Sequence, residues 1–202
     1  MRLPISAHRS QPWRIHEIAY DFRVLDVWAL PTPGGSEDFP RLVQLMTSLD
    51  PSQSSSAVVR SLFATRQKVG EVLGWDGPET GVGSRVASLR DRLTSVVRDE
   101  GGLPEFGALP AIPLYLTGDE FAAEVANRTV HGVLHLGWVQ DGIDDYRGQL
   151  AILVKPNGLL GQAYVGTIRP FRYLLVYPAL MRAIELEWRA GAARGDDEVT
   201  RA

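Results

Sequence analysis

Four residues between positions 120 and 135 have types and spacing suited to acid–base chemistry: Glu120, Glu124, His131 and His135. The Asn127-Arg128 dipeptide between them reads as a two-residue hairpin turn, because asparagine tolerates positive φ. Such a turn pairs Ala126 with Thr129, and the antiparallel register then sets Glu124 opposite His131 and Glu120 opposite His135. Strand side chains alternate, so all four lie on one face, with Phe121, Val125, Val130, Leu134, Leu136 and Trp138 on the other. Opposed Cβ atoms are about 5 Å apart, within reach of a Glu–His hydrogen bond. A carboxylate that orients an imidazole and stabilises its charged form makes a general acid/base. Two His and two Glu on one surface also make a divalent-metal site conceivable. The plain alternative is a solvent face bearing cross-strand ion pairs, and a bulge would break the register. The reading carried forward is acid/base, with no metal and no cofactor.

The elements that must hold these residues are legible. Residues 1–11 are polar and read as an irregular arm, and Trp13 to Leu30 as one or two strands ended by Pro31-Thr32-Pro33-Gly34-Gly35. Ser36 or Glu37 opens a helix with Phe39, Leu42, Val43 and Met46 on one stripe, and Asp50-Pro51 ends it. Ser54-Ser55-Ser56 caps a second amphipathic helix running to about Leu73, and Arg85 to Asp99 reads as a third. Strands follow at Leu114–Leu116, Glu120–Ala126, Thr129–Val139 and Tyr146–Lys155, with a fifth over Leu159–Val165. A last helix starts near Pro170, is kinked or split at Pro178 and stops at Gly191, leaving residues 191–202 as a disordered tail. His8 and His16 have no evident partner. The fold class is α+β: an antiparallel sheet packed by a long C-terminal helix, in a single domain over 12–190.

Composition narrows the function classes. With 202 residues and 45% hydrophobic content the chain can bury a core unaided. Cysteine is absent, which removes disulfides, thiolate catalysis and Cys-ligated metals. A net charge of −3, with no basic stripe interleaved with aromatics, argues against nucleic acid. No stretch approaches the ~20 apolar residues of a membrane span, and no signal-peptide core follows Met1, so a soluble cytoplasmic protein is expected. Ser54 to Ser56 lacks a nucleophile elbow, and Gly81-Val82-Gly83 lacks the Gly-Lys-Ser/Thr of a phosphate loop.

The run Ala126-Asn127-Arg128-Thr129-Val130-His131-Gly132-Val133-Leu134-His135-Leu136-Gly137-Trp138-Val139 resembles an uncharacterised bacterial domain-of-unknown-function family. So do Val154-Lys155-Pro156-Asn157-Gly158-Leu159-Leu160-Gly161, Pro170-Phe171-Arg172 and Val176-Tyr177-Pro178, and upstream Asp26-Val27-Trp28 and Gly74-Trp75-Asp76. The likeness spans roughly residues 8–190. That family looks like a branch of the START-like (SRPBCC, helix-grip) superfamily, which includes polyketide cyclases and lipid carriers. The resemblance implies an apolar cavity between sheet and last helix.

It directs attention to Tyr164, Arg169, Arg172, Tyr173 and Tyr177 near the start of that helix, which could orient an anionic or carbonyl ligand. Tyr115 and Tyr146 join them only because they lie on sheet strands. The expected function is binding of a hydrophobic small molecule, with cofactor-independent cyclase, dehydratase or isomerase chemistry at the Glu–His pairs. The alternatives are a non-catalytic carrier or sensor, or an interaction module; a homodimer is possible for any of them.

Overall fold

The computed structural model describes residues 1–53, 60, 64, 81–94, 102–158, 161, 162 and 172–199. Its centre is a five-stranded antiparallel sheet of order β1-β5-β4-β3-β2. The strands are β1 (Arg23–Ala29), β2 (Ile112–Leu116), β3 (Glu120–Ala126), β4 (Val130–Gln140) and β5 (Tyr146–Pro156). β4 and β5 are 11 residues each and pair along their whole length, from Val130↔Pro156 to Gln140↔Tyr146. The meander β2–β5 is closed by β1, which returns beside β5 with a register shift between Val24 and Asp26. The shift lets Val24 and Val27 serve one face while Asp26 and Trp28 serve the other. A second shift separates Pro113 from Tyr115 on the β2 edge.

Both faces of the sheet are covered. On one face Leu30, Phe121, Leu136, Trp138 and Leu150 pack against α3 (Phe39–Ser48) and α4 (Tyr177–Val199), which contribute Phe39, Leu42, Val43, Met46, Ile184 and Trp188. On the other, Val24, Val27, Ala122, Val133, Ala151 and Leu153 meet two short N-terminal helices, α1 (Ser6–Arg9) and α2 (Ile15–Ile18), and a 3-10 turn, Leu89–Arg92. Burying that much apolar area supplies the main folding drive, at roughly 25 cal/mol per Å².

Several expectations need correction. The N-terminal segment carries a helical turn whose His8 is fully buried. The first half of Trp13 to Leu30 is helical, because Ile15, Ile18 and Ala19 recur at helical spacing and are all buried. α4 continues through Gly191 to Val199. That glycine, worth about 1 kcal/mol less than alanine in a helix, makes room for Arg41: a Cβ there would stand 3.1 Å from the guanidinium. Arg41 in turn lies 4.0 Å over the Trp188 ring and donates to the Trp188 carbonyl.

A π-turn over Arg172–Val176 leads into α4 immediately before Pro178. A proline ring clashes with the carbonyl four residues back, here Leu174, and a widened turn relieves the clash. The helix expected over Ser54–Leu73 lies outside the described residues, apart from Arg60 and Ala64, both helical. The strand expected over Leu159–Val165 is described only at Gly161 and Gln162, which are helical. Among the described residues no helix is long and apolar enough to cross a membrane.

Candidate functional site

The β3–β4 hairpin brings the expected Glu–His pairs together through a different turn. Asn127 does not occupy a positive-φ corner; no described non-glycine residue has positive φ. Its side-chain Oδ1 instead accepts from the Thr129 N–H, the Thr129 hydroxyl and the Val130 N–H at 2.9, 2.8 and 3.0 Å. This Asx-turn makes Asn127 the first corner and moves the register two residues, to Ala126↔His131, Glu124↔Val133 and Glu120↔Gly137. A shift of two preserves the face. The pairs therefore become diagonal neighbours, about 7–8 Å apart at the backbone and bridged by long side chains. His131 Nε2 lies 2.8 Å from Glu124 Oε2, and His135 Nε2 lies 3.0 Å from Glu120 Oε2.

The face is not solvated. Glu120, Glu124, His131 and His135 are at most 4% exposed, beneath α1, α2 and the 88–93 segment. A solvent-facing ion-pair surface is thereby excluded. Gly137 is what allows the cover to close: the Trp13 ring lies flush on it, and a Cβ would come within 2.6 Å of Trp13 Cζ2.

The two pairs differ in their surroundings. Glu124 accepts from the Ser88 hydroxyl, from the Leu89 N–H at 3.1 Å, and meets His131. Its carboxylate stands between serine and histidine, so the histidine cannot take a proton from the serine hydroxyl, and the trio fixes the 88–93 segment. Phe22 packs edge-on against His131 at 4.9 Å.

Glu120 accepts from the Arg14 N–H through both oxygens, at 2.9 and 3.1 Å. Beyond His135 the bonds continue: His135 Nδ1 lies 3.1 Å from His8 Nε2, and His8 Nδ1 lies 3.1 Å from His16 Nε2. His8 and His16 thus do have partners, and all four histidines of the chain lie on this face. Sequence reasoning missed the first two because they lie over 100 residues from the strand they meet (His8 to His135, 127 residues).

Burial governs the protonation of this set. It pushes His135 down to about 3, and His8 down to about 3 with help from the neighbouring His135, His16 and Arg9. His16 is lowered by burial, against the pull of Glu120. Burial pushes Glu120 up to about 7, opposed by the Arg14 N–H and reinforced by the Asp119 charge. A 3.0 Å contact between Glu120 and His135 suits a carboxylic acid donating to a neutral imidazole as well as an ion pair, and burial favours the uncharged arrangement. The Tyr115 hydroxyl makes no hydrogen bond that satisfies ordinary geometry. Burial, then the nearby Glu120 charge, hold it well above the usual phenol range.

The tyrosines of the last helix go elsewhere. Tyr177 donates to Asp26 Oδ2 at 2.8 Å, and Tyr173 donates to Asp26 Oδ1. Asp26 is 1% exposed. Trp28 lies 4.6 Å from the Tyr177 ring, and the Arg2 guanidinium 4.6 Å over Tyr173. This cluster sits on the α4 face, so the sheet separates it from the Glu–His pairs. Tyr115 lies with the pairs, while Tyr146, the first residue of β5, packs on the α4 face. Tyr164 and Arg169 lie outside the described residues, as does the Arg172 side chain. Asp26 interrupts an apolar strand and lies in the Asp26-Val27-Trp28 run of the family resemblance, but neither signal marked it as a site residue. Among the described residues no group of three or more His, Asp or Glu has a metal-holding arrangement.

A family model described as Protein of unknown function (DUF2867) matches residues 18–179. The chain belongs to that family. The family match takes in the sheet, both Glu–His pairs and the Asp26–Tyr177 contact, and begins after His8 and His16. No curated protein and no solved structure matches the chain.

Proposed function

We propose that this protein binds an apolar small molecule bearing a carbonyl or hydroxyl group, on the sheet face covered by α4, with its polar end at Asp26, Tyr173 and Tyr177. One observation carries the reading. Asp26, Ile152, Leu134 and Ala123 form a single row across β1, β5, β4 and β3. Ile152 and Leu134 are at the middle of the two longest strands, yet both remain only half-buried, as does Trp28. On the opposite face their neighbours Val133, His135, Ala151 and Leu153 are almost wholly covered. An apolar floor left partly open, ended by one buried carboxylate with two hydroxyl partners, has the composition of a small-molecule site: mostly apolar walls and few polar groups. The sequence of strand, helix, antiparallel strands and long last helix supports the helix-grip assignment and its cavity beneath that helix.

In this reading the Tyr177 hydroxyl turns its single proton from Asp26 to a ligand carbonyl, leaving Asp26 with the Tyr173 hydroxyl, and the protein acts first as a binder or carrier. Cyclase, dehydratase or isomerase chemistry would use that tyrosine. The Glu–His pairs, across the sheet, do not touch the ligand. The test uses prodan, an apolar fluorophore bearing a ketone, together with mass spectrometry of solvent extracts of the purified protein. Saturable, blue-shifted binding is expected, weakened roughly tenfold, or ~1.4 kcal/mol, by Tyr177→Phe and by Leu134→Gln. Absence of saturable binding, or affinity indifferent to both variants, overturns the proposal.

A further inference from the structure

We propose that His16, His8 and His135 form a proton relay that carries a proton from the protein surface to the buried carboxylate of Glu120. The geometry is a continuous series of contacts at 3.1, 3.1 and 3.0 Å: His16 Nε2 to His8 Nδ1, His8 Nε2 to His135 Nδ1, His135 Nε2 to Glu120 Oε2. Each inner imidazole is entered through Nδ1 and left through Nε2. This is the arrangement a neutral histidine needs in order to pass a proton on, since one ring nitrogen donates while the other accepts. His8 and His135 are fully buried, and His16 at the outer end is half-buried.

Only two tautomer patterns satisfy every contact without a buried imidazolium. In the first, all three histidines carry their proton on Nε2, and His135 donates to ionised Glu120. In the second, Glu120 is protonated on Oε2 and donates to His135, and all three histidines carry their proton on Nδ1. Conversion balances: one proton arrives at His16 Nδ1, the three hydrogen-bonded protons each move one step inward, and an Oε2–H bond forms. The site goes from one negative charge to none. Glu120 Oε1 keeps the Arg14 N–H at 2.9 Å in both patterns.

The charged and titratable groups facing the relay pull in both directions. Arg9 disfavours imidazolium on His8 and His16, whereas Glu120 favours it on His16 and Asp119 on His135, each outweighed by burial. Asp119 favours the protonated carboxyl, and Arg14 the ionised one. Tyr115 stands at the inner end, its hydroxyl buried. The carboxyl is thereby able to exchange its proton while remaining sealed under Trp13.

Nitrogen-15 NMR of histidine-labelled protein tests this directly, because the chain has only four histidines and His131 lies outside the relay. Across the neutral range, His8, His16 and His135 are expected to change from Nδ1–H to Nε2–H with one shared midpoint as pH rises. In Glu120→Gln the shared midpoint should vanish while the three histidines keep a single tautomer pattern. Separate midpoints, or tautomers that place two donors or two acceptors face to face, overturn the relay, and the unmodified protein decides this even if the variant does not fold.

Discussion

The neutral histidines beneath α1 and α2 make stability depend on pH in a direction that can be worked out. His8 and His135 fall from an ordinary value of 6.5 to about 3 on folding. Their contribution is therefore complete above pH 6.5 and is lost as pH falls toward 3, where the unfolded chain binds more protons. Glu120 rises from 4.5 to about 7, so its contribution has the opposite sense: complete below pH 4.5 and lost as pH rises through 7. Between pH 4.5 and 6.5 the folded protein holds two fewer protons on the histidines and one more on Glu120, a net release of one. One proton corresponds to a slope of about 1.4 kcal/mol per pH unit, hence ~3 kcal/mol across those two units. His16, also lowered, adds in the histidine direction, and Asp21, held well below the usual carboxylate range by Arg92, acts only at lower pH. Glu120→Gln removes the opposing proton and should steepen the slope by about one proton's worth, ~1.4 kcal/mol per pH unit. Urea unfolding followed by tryptophan fluorescence at pH 4.5, 5.5 and 6.5 measures both. A stability that is flat or falls with pH, or a variant whose line runs parallel to that of the unmodified protein, would refute the reasoning.

Other outcomes follow from single contacts. Gly137→Ala should cost about 1–3 kcal/mol and shift the tryptophan emission, since its methyl meets the Trp13 ring; differential scanning fluorimetry reports the change. Asn127→Ala removes three hydrogen bonds at the hairpin corner and should destabilise by about 1–3 kcal/mol, with the Val130 amide losing protection from hydrogen exchange. Ser88→Ala leaves Glu124 one donor short, and faster exchange of the Leu89 amide is expected, with ~1 kcal/mol lost.

How much was legible depended on distance along the chain. The meander strands could be read because alternating apolar residues and turn dipeptides are local signals, and the observed strands begin and end close to the expected positions. The Glu–His pairing survived a wrong turn assignment because an error of two residues leaves strand parity unchanged. What could not be read was the cover. Nothing local in Ser6–Arg9 or Ile15–Ile18 says that these turns close over β4, and the partners that hold them, Glu120 and His135, are remote in sequence. Asp26 was missed for a related reason: its meaning comes from Tyr173 and Tyr177, which lie 147 and 151 residues away.

The contact between His8 and His135 spans 127 residues, and β1 completes the sheet only against β5, some 120 residues later. During synthesis the first thirty or so residues leave the ribosome long before their partners exist. At typical elongation rates of ~5–20 residues per second, they wait several seconds or more. Throughout that interval Trp13, Ile15 and Ile18 have no surface to cover, and β1 is an unpaired apolar strand. Folding of this chain is expected to begin in the β3–β5 meander, whose contacts are short-range, and to finish with the return of its own beginning.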